Sequence, residues 1–301
     1  MLPPSPGRAV TRSMLGQLLP RRAAPTALAF ADLLGPNLDD YAELILGPAA
    51  RPVGFMTRGE DATFTERVRL ILRELDMPGD AVQHHERLAT WFEHLRAFAK
   101  LEWHPVGDGE NAEPLVAVYF RRRPQADDVI ARMETWGMNW ETRGLVRDVA
   151  GLLKKASVHF VAAAFRRGQP VHHKLYFSQF VTPETRGVVA TRMERVLGLF
   201  GLPQEQRDRW RVQHDRHTGR GETTVFLSFS FTADAIGRSV KIDYPGASGE
   251  EAASWLAPEE RPAVIAEVAR ACELAGRRRL SYLGVRLEPG CAPALKYYAD
   301  L

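Results

Sequence analysis

His172, Lys174, Tyr176 and Ser178 alternate with apolar residues in the stretch VHHKLYFSQF. A period of two is that of a half-buried strand, and its polar side lines up an imidazole, an ammonium and a phenol with no acid among them. A solvated strand face mixes charge signs, whereas a cavity that holds an anion calls for this set. Other strand-like stretches add cations at Arg51, Arg121, Lys241 and Arg286, and a further hydroxyl at Tyr297. Cations with phenol donors suit a diphosphate, which is multiply charged and rich in acceptor oxygens. Phe55, Trp103, Tyr119, Phe226, Tyr282 and Tyr298 bring aromatic faces, which stabilise a cation through the ring quadrupole. An anion holder beside an aromatic cage is the chemistry of ionising an allylic diphosphate and shielding the carbocation from water. Glu43 and His159 are the candidate bases for the proton that an acceptor would then lose.

Each residue also has a plainer reading. Lys174 fits a solvated strand end, as does Arg121 within Arg121-Arg122-Arg123. Glu43 could simply pair with Arg51, and His159 could be a hydrogen-bonded filler. Trp103 and Phe226 are types found most often in ordinary cores.

To converge, these residues need a scaffold, and the chain repeats one. Four stretches share a form of two alternating strands joined by a polar loop: FAKLEWHPVGDGENAEPLVAVYFRRRP, SVHFVAAAFRRGQPVHHKLYFSQF, TTVFLSFSFTADAIGRSVKIDYP and RLSYLGVRLEPGCAPALKYYADL. Their second strands centre on Phe120, Phe177, Ile242 and Tyr298, at steps of 57, 65 and 56 residues. A shorter hairpin, DYAELIL and RPVGFMT, precedes them. Helical patterns fill the gaps. Phe64, Val68, Ile71, Leu72 and Leu75 form one apolar stripe behind a Thr63-x-x-Glu66 capping box, and Leu88, Trp91, Phe92 and Leu95 form another. Two further helices stop at Gly201 and Gly276.

Five hairpins that stay adjacent predict an α+β fold, a ten-stranded antiparallel barrel surrounded by helices and wide enough for a ligand. A two-layer α+β protein with solvated polar faces is the other arrangement. In the barrel, parity turns inward Tyr41, Glu43 and Ile45; Arg51, Val53 and Phe55; Leu101 and Trp103; Ala117, Tyr119 and Arg121; His159 and Val161; and the His172–Ser178 face. It also turns in Phe226, Ser228 and Ser230, Lys241 and Asp243, and Tyr282, Gly284 and Arg286. In the last strand either Tyr297 or the Lys296/Tyr298 pair faces in.

The chain has 301 residues, 45% hydrophobic and 26% charged, with a formal charge of +3. Near-balanced charge gives no general pull toward nucleic acid or membranes, and RNA binding gains little from it. Cys272 and Cys291 make neither a disulfide framework nor a zinc site, so a cytoplasmic setting and a monomer are the expectations. No apolar run approaches the roughly 20 residues that span a bilayer. Residues 1–31 contain no acid and several arginines and prolines. They read as a flexible basic tail, although a transit peptide has the same bias, and 32–301 reads as one domain.

The repeated hairpins and helices resemble the ABBA prenyltransferases, and HKLYFSQFVTPETRGVVATRMERVLGLFGLP is similar to their central strand and helix. LSYLGVRLEPGCAPALKYYADL resembles their closing hairpin, and NAEPLVAVYFRRRPQADDVIARM the second hairpin and helix of the cyanobactin-type peptide prenyltransferases, the most similar branch. His172-x-Lys174-x-Tyr176 matches the basic-x-Lys-x-Tyr pattern that grips diphosphate in the indole members. The resemblance implies a soluble enzyme moving a dimethylallyl or geranyl group from its diphosphate to a peptide side chain, or to a small aromatic acceptor. It puts Glu43 at an inward acid position and Arg51, Lys174, Tyr176, Lys241 and a tyrosine of Tyr297-Tyr298 at diphosphate positions. Two departures stand out. The second hairpin reads LVAVYF where relatives carry an early lysine, leaving Arg121 to substitute, and Asp243 adds an anion near the phosphate end.

Asp39-Asp40 and Asp127-Asp128 each lack the third aspartate of a DDxxD cluster, so an aspartate-held magnesium site is not expected. A magnesium ion carried in on the diphosphate needs few protein carboxylates and stays compatible; no organic cofactor is implied. A barrel that binds an isoprenoid diphosphate without chemistry would need the same cations but no base.

Overall fold

The period-two stretches become ten strands: β1 (Ala42–Leu46), β2 (Pro52–Gly59), β3 (Ala97–Pro105), β4 (Ala112–Phe120), β5 (Phe160–Phe165), β6 (His172–Val181), β7 (Thr223–Phe231), β8 (Ile236–Pro245), β9 (Tyr282–Leu287) and β10 (Ala294–Asp300). They belong to a computed structural model that describes residues 41–47, 52–60, 62–93, 97–105 and 112–300, with Phe30, Leu33, Leu34 and Asn37 before them. Each strand pairs antiparallel with its chain neighbours, and β1 closes on β10, where Glu43 faces Asp300 and Leu46 faces Tyr297. The barrel is closed, which removes the two-layer alternative. Most of the segment read as a tail lies outside the described residues, but Phe30 packs edge-on against Phe55, ring centroids 5.0 Å apart.

Helices come in pairs rather than singly. Between β2 and β3 lie α1 (Ala62–Glu74) and α2 (Gly79–Trp91); between β4 and β5, α3 (Ala126–Thr135) and α4 (Trp140–Leu153). Next come α5 (Arg186–Leu199) and α6 (Gln204–Thr218) before β7, then α7 (Gly249–Ala253) and α8 (Arg261–Leu274) before β9. Local sequence sets their ends. The Asn139 side chain accepts a hydrogen bond from the Thr142 amide at 2.8 Å and caps α4. Gly201 takes a φ of 79° just after α5, the left-handed exit that a residue without Cβ makes cheaply. The expected box at Thr63 is not the start of α1: the helix begins at Ala62, and Glu66 pairs instead with Arg69.

The helical jacket explains which strand faces are apolar. Leu101, Val116, Val118, Leu175, Phe177, Leu227, Ile242 and Val285 point outward under helices and are at most 1% exposed. Burying each such side chain stabilises the fold by about 1.5–3 kcal/mol. The lumen is the polar side, as expected.

Three strand facings differ from the parity reading, and β10 takes one of its two open options, leaving Tyr297 out of the lumen. In β2, Phe55 points outward onto Phe30, and Met56 faces the lumen. In β3, Leu101 is outward and Phe98 and Lys100 are inward. In β5, Val161 joins the outer core while Phe160 turns in. In β10, Tyr297 is outward, its hydroxyl donating to Glu267 of α8 at 3.1 Å, and Tyr298 is inward. The reason is physical: whatever lies under helices must be apolar or hydrogen-bonded, and the pairing register shifts between Ile45 and Leu46 in the first hairpin. No helix among the described residues is long and apolar enough to cross a membrane.

Candidate active site

A cavity of about 200 Å³ opens inside the barrel. Its wall includes Glu43 on β1, Lys100 on β3, Tyr119 on β4, Tyr176 on β6, Phe226 on β7, Lys241 and Asp243 on β8, Tyr282 on β9 and Tyr298 on β10. Arg121, just past β4, and His159, just before β5, also line it. Side chains at spacing two along strands that are far apart in sequence are thereby gathered around one space.

One part of the lumen is strongly cationic. Lys174 is half-buried, and the charges of Lys100, Lys241, Arg286 and Lys296 act on it. Burial first, and those four cations after it, push its ammonium well below the usual lysine range. No ion-pair partner holds Lys174 among the described residues. The other lysines are partly compensated. Glu102 accepts from Lys100 at 2.9 Å and from Lys296 at 2.7 Å. Lys241 pairs with Asp243 at 2.5 Å and donates to the Tyr298 hydroxyl at 2.8 Å. Five cations against two carboxylates leave an excess of positive charge, a setting that suits an anionic guest.

Space for that ion pair is built into the neighbouring strand. A Cβ on Gly284 would come within 2.5 Å of Lys241 Cε and 2.9 Å of Asp243 Oδ1, so any larger residue on β9 there would displace that pair.

The remaining wall is aromatic. Tyr119 and Tyr176 meet edge-to-face at 5.7 Å, Phe160 and Tyr176 at 5.9 Å, and Phe226 and Tyr282 at 6.0 Å. Burial raises the hydroxyls of Tyr119, Tyr176 and Tyr298 well above the ordinary phenol range, so they stay protonated hydrogen-bond donors. Lys100 sits 5.5 Å from the Tyr119 ring centre and Arg121 5.9 Å from that of Phe160.

Both candidate bases reach the cavity. Glu43 is 1% exposed, and its carboxyl is pushed up to about 8 by burial first and then by Asp300 and Asp243. The Tyr41 hydroxyl donates to it, while Oε1 has no partner. His159 lies edge-on to Phe226 at 4.9 Å, and burial, with Arg121 behind it, lowers its imidazole to about 4.

The cavity or its cationic end thus collects Glu43, His159, Arg121, Lys174, Tyr176, Lys241, Arg286, Tyr119, Phe226, Tyr282 and Tyr298. Phe55 and Tyr297 stand outside it, for the reasons of facing given above. Arg51 lies outside the described residues, and Trp103 is described only as a position in β3. Sequence reasoning missed Lys100, Glu102 and Phe98. The signal was there: in FAKLEWHP, Lys100 and Glu102 alternate with Ala99 and Leu101, so the apolar members claim the helix side. Lys100 supplies a lysine from the second hairpin, which LVAVYF does not. Among the described residues, no three His, Cys, Asp or Glu side chains gather closely enough to hold a metal ion.

A closed barrel of ten antiparallel strands within paired helices is the ABBA prenyltransferase fold. Three solved structures share it over nearly the whole chain. The first is 5-dimethylallyl tryptophan synthase from Streptomyces coelicolor in complex with DMASPP and Trp, 17% identical with a TM-score of 0.66, matched over 97% of this chain and 93% of that one. The second is the prenyltransferase PriB in a ternary complex with L-tryptophan and dimethylallyl thiolodiphosphate, 15% identical, TM-score 0.62, over 98% and 94%. The third is NotF in complex with brevianamide F and DMSPP, 12% identical, TM-score 0.61, over 99% and 95%. No protein-family model and no curated protein matches the sequence.

Proposed function

We propose that this chain is a prenyltransferase that moves a dimethylallyl group from its diphosphate to a nucleophilic acceptor. The observation that carries the reading is the cationic cluster around Lys174, in which cations outnumber carboxylates, abutting a cavity walled by tyrosines and phenylalanines. The diphosphate sits among Lys100, Lys174, Lys241, Lys296 and Arg286, where negative charge develops as the C–O bond breaks, and preorganised cations lower that barrier. The aromatic wall faces the allylic cation and keeps water away. Glu43 is the better base of the two candidates: its carboxyl is poised near neutral pH with a free oxygen, whereas His159 is held too weakly basic.

Size argues for the short donor. A cavity of about 150 Å³ takes benzene, so about 200 Å³ suits a five-carbon chain with one reacting group of the acceptor, and a geranyl chain would fill it alone. A peptide acceptor would present one side chain and leave its body outside. The tryptophan and brevianamide F in the solved complexes favour a second reading, a small aromatic acceptor held in the same place. A magnesium ion carried by the diphosphate would use the diphosphate oxygens as its main ligands.

Incubation with dimethylallyl diphosphate, candidate peptides and tryptophan, followed by mass spectrometry and diphosphate release, tests the proposal. Prenylated product that disappears in Lys174→Ala supports it. Diphosphate binding with no turnover on any acceptor would leave only a binding barrel.

A further inference from the structure

The base end of the cavity carries more carboxyl groups than proton transfer requires. Glu43 is 1% exposed and aims an unpartnered Oε1 into the space it lines. Asp300 sits across the β1–β10 seam from it, with a buried Oδ1 that also lacks a partner. Asp243 adds a third carboxylate along the lumen wall, and the tyrosines Tyr41 and Tyr282 stand beside them. Lys241 is the one cation among the main charges acting on Glu43, and it is already paired with Asp243. Arg58 shares the lumen side of β2 with Met56, faces Phe98 of β3 and stacks on Tyr41 at 5.3 Å, and Arg121 lies 5.9 Å from the Phe160 ring centre.

Buried carboxylates without partners are costly unless something positive joins them. A metal ion does not fit, because the carboxylates do not converge into a ligand set. A planar guanidinium does: its five N–H donors are spread over a fork, reach more than one carboxylate, and stack on aromatic rings. We infer that the acceptor is a guanidinium-bearing compound, an arginine side chain or its analogue, seated by Glu43 and Asp300 between Tyr41 and Tyr282. The inference rests on the prenyl-transfer reading and names its substrate class. In the step, the donor C–O bond breaks with its electron pair leaving on diphosphate. Glu43 takes a proton from the guanidinium and passes it to water, and the neutral guanidine nitrogen so formed gives its lone pair to the allylic carbon as the new C–N bond. The product remains a guanidinium.

Calorimetric titration separates this from a neutral acceptor. The probes are N-acetylargininamide, its uncharged isostere N-acetylcitrullinamide, and N-acetyltryptophanamide, each with and without dimethylallyl thiolodiphosphate. The arginine probe is expected to bind about tenfold or more tighter than the citrulline probe, the order of one charge-assisted pair. Glu43→Gln should remove that preference while thiolodiphosphate still binds, which also reports that the variant is folded. Equal binding of the arginine and citrulline probes, or preference for the tryptophan probe, overturns the inference. If Glu43→Gln does not fold, the wild-type arginine-to-citrulline ratio decides alone. Failure of thiolodiphosphate to bind the wild type would count against prenyl transfer itself, and the donor-free titration would still report on the guanidinium.

Discussion

Lys174 stands inside the barrel with four other cations around it and no ion-pair partner among the described residues. Such a residue destabilises the empty protein and is relieved only by an anion, so its removal should hurt catalysis more than folding. Lys174→Ala and Lys241→Ala are expected to lower transfer by about 100-fold or more, the range for losing one preorganised donor to developing negative charge. Steady-state diphosphate release measures it, with thermal unfolding as the control. The pH profile is worked out from two groups. Glu43 must be ionised to act as base, and burial with Asp300 and Asp243 lifts it to about 8, so activity rises as pH climbs toward that value. Lys296 must be protonated to hold the donor, and burial lowers it to about 8, so donor binding weakens above it. A bell in kcat/KM with a narrow maximum near pH 8 is expected, and Glu43→Gln should remove its rising limb. At this scale Lys174, Tyr176, Lys241 and Asp243 were legible because polar groups alternate with long apolar ones, whereas His172 is exposed. Phe55 and Tyr297 were not, since an aromatic side chain suits either face.

Elements carry the next level. β6 and β7 could be faced from sequence because Leu175, Phe177, Leu227 and Phe229 leave no doubt which side the helices cover. β3 was misread because its outward side begins with small alanines, and β2 because the register shift at Ile45/Leu46 is invisible in a list of residues. That helices come in pairs was also only half visible: α6 is so polar, with Trp210, His214 and Thr218 as its buried residues, that no apolar stripe announces it. Gly284 is the element-level prediction. Adding one methyl on β9 pushes into the Lys241–Asp243 pair, so Gly284→Ala should raise the donor KM about tenfold with the strand still formed. Tyr297→Phe, by contrast, removes only a hydroxyl bonded to Glu267 on the outside and should cost about 1 kcal/mol of stability with kcat unchanged. Donor kinetics alongside urea unfolding distinguish the two.

The whole molecule holds its jacket on with several neutral histidines. His84 and His217 are lowered to about 4, and His173 and His214 to about 3, by burial above all. His173 stacks flat on Trp136 at 5.2 Å and on Phe231 at 5.5 Å, and His214 meets the Tyr244 hydroxyl at 3.2 Å. Their folded pKa values lie below the unfolded value of 6.5, so the unfolded chain binds more protons in between. The stability they confer is complete above pH 6.5 and is lost as pH falls toward 4. Melting temperature is therefore expected to fall steeply between pH 6.5 and 4, with each histidine contributing on the order of 1 kcal/mol; His173→Phe should flatten that slope.

Nine of the ten strand pairings join neighbours in the chain, and the tenth, β1 with β10, joins Glu43 to Asp300. During synthesis, the cage therefore stays an open sheet, with two unsatisfied edges, until β10 has left the ribosome. Until β10 docks on β1 the lumen is not enclosed, and both free edges are open to pairing with other sheets.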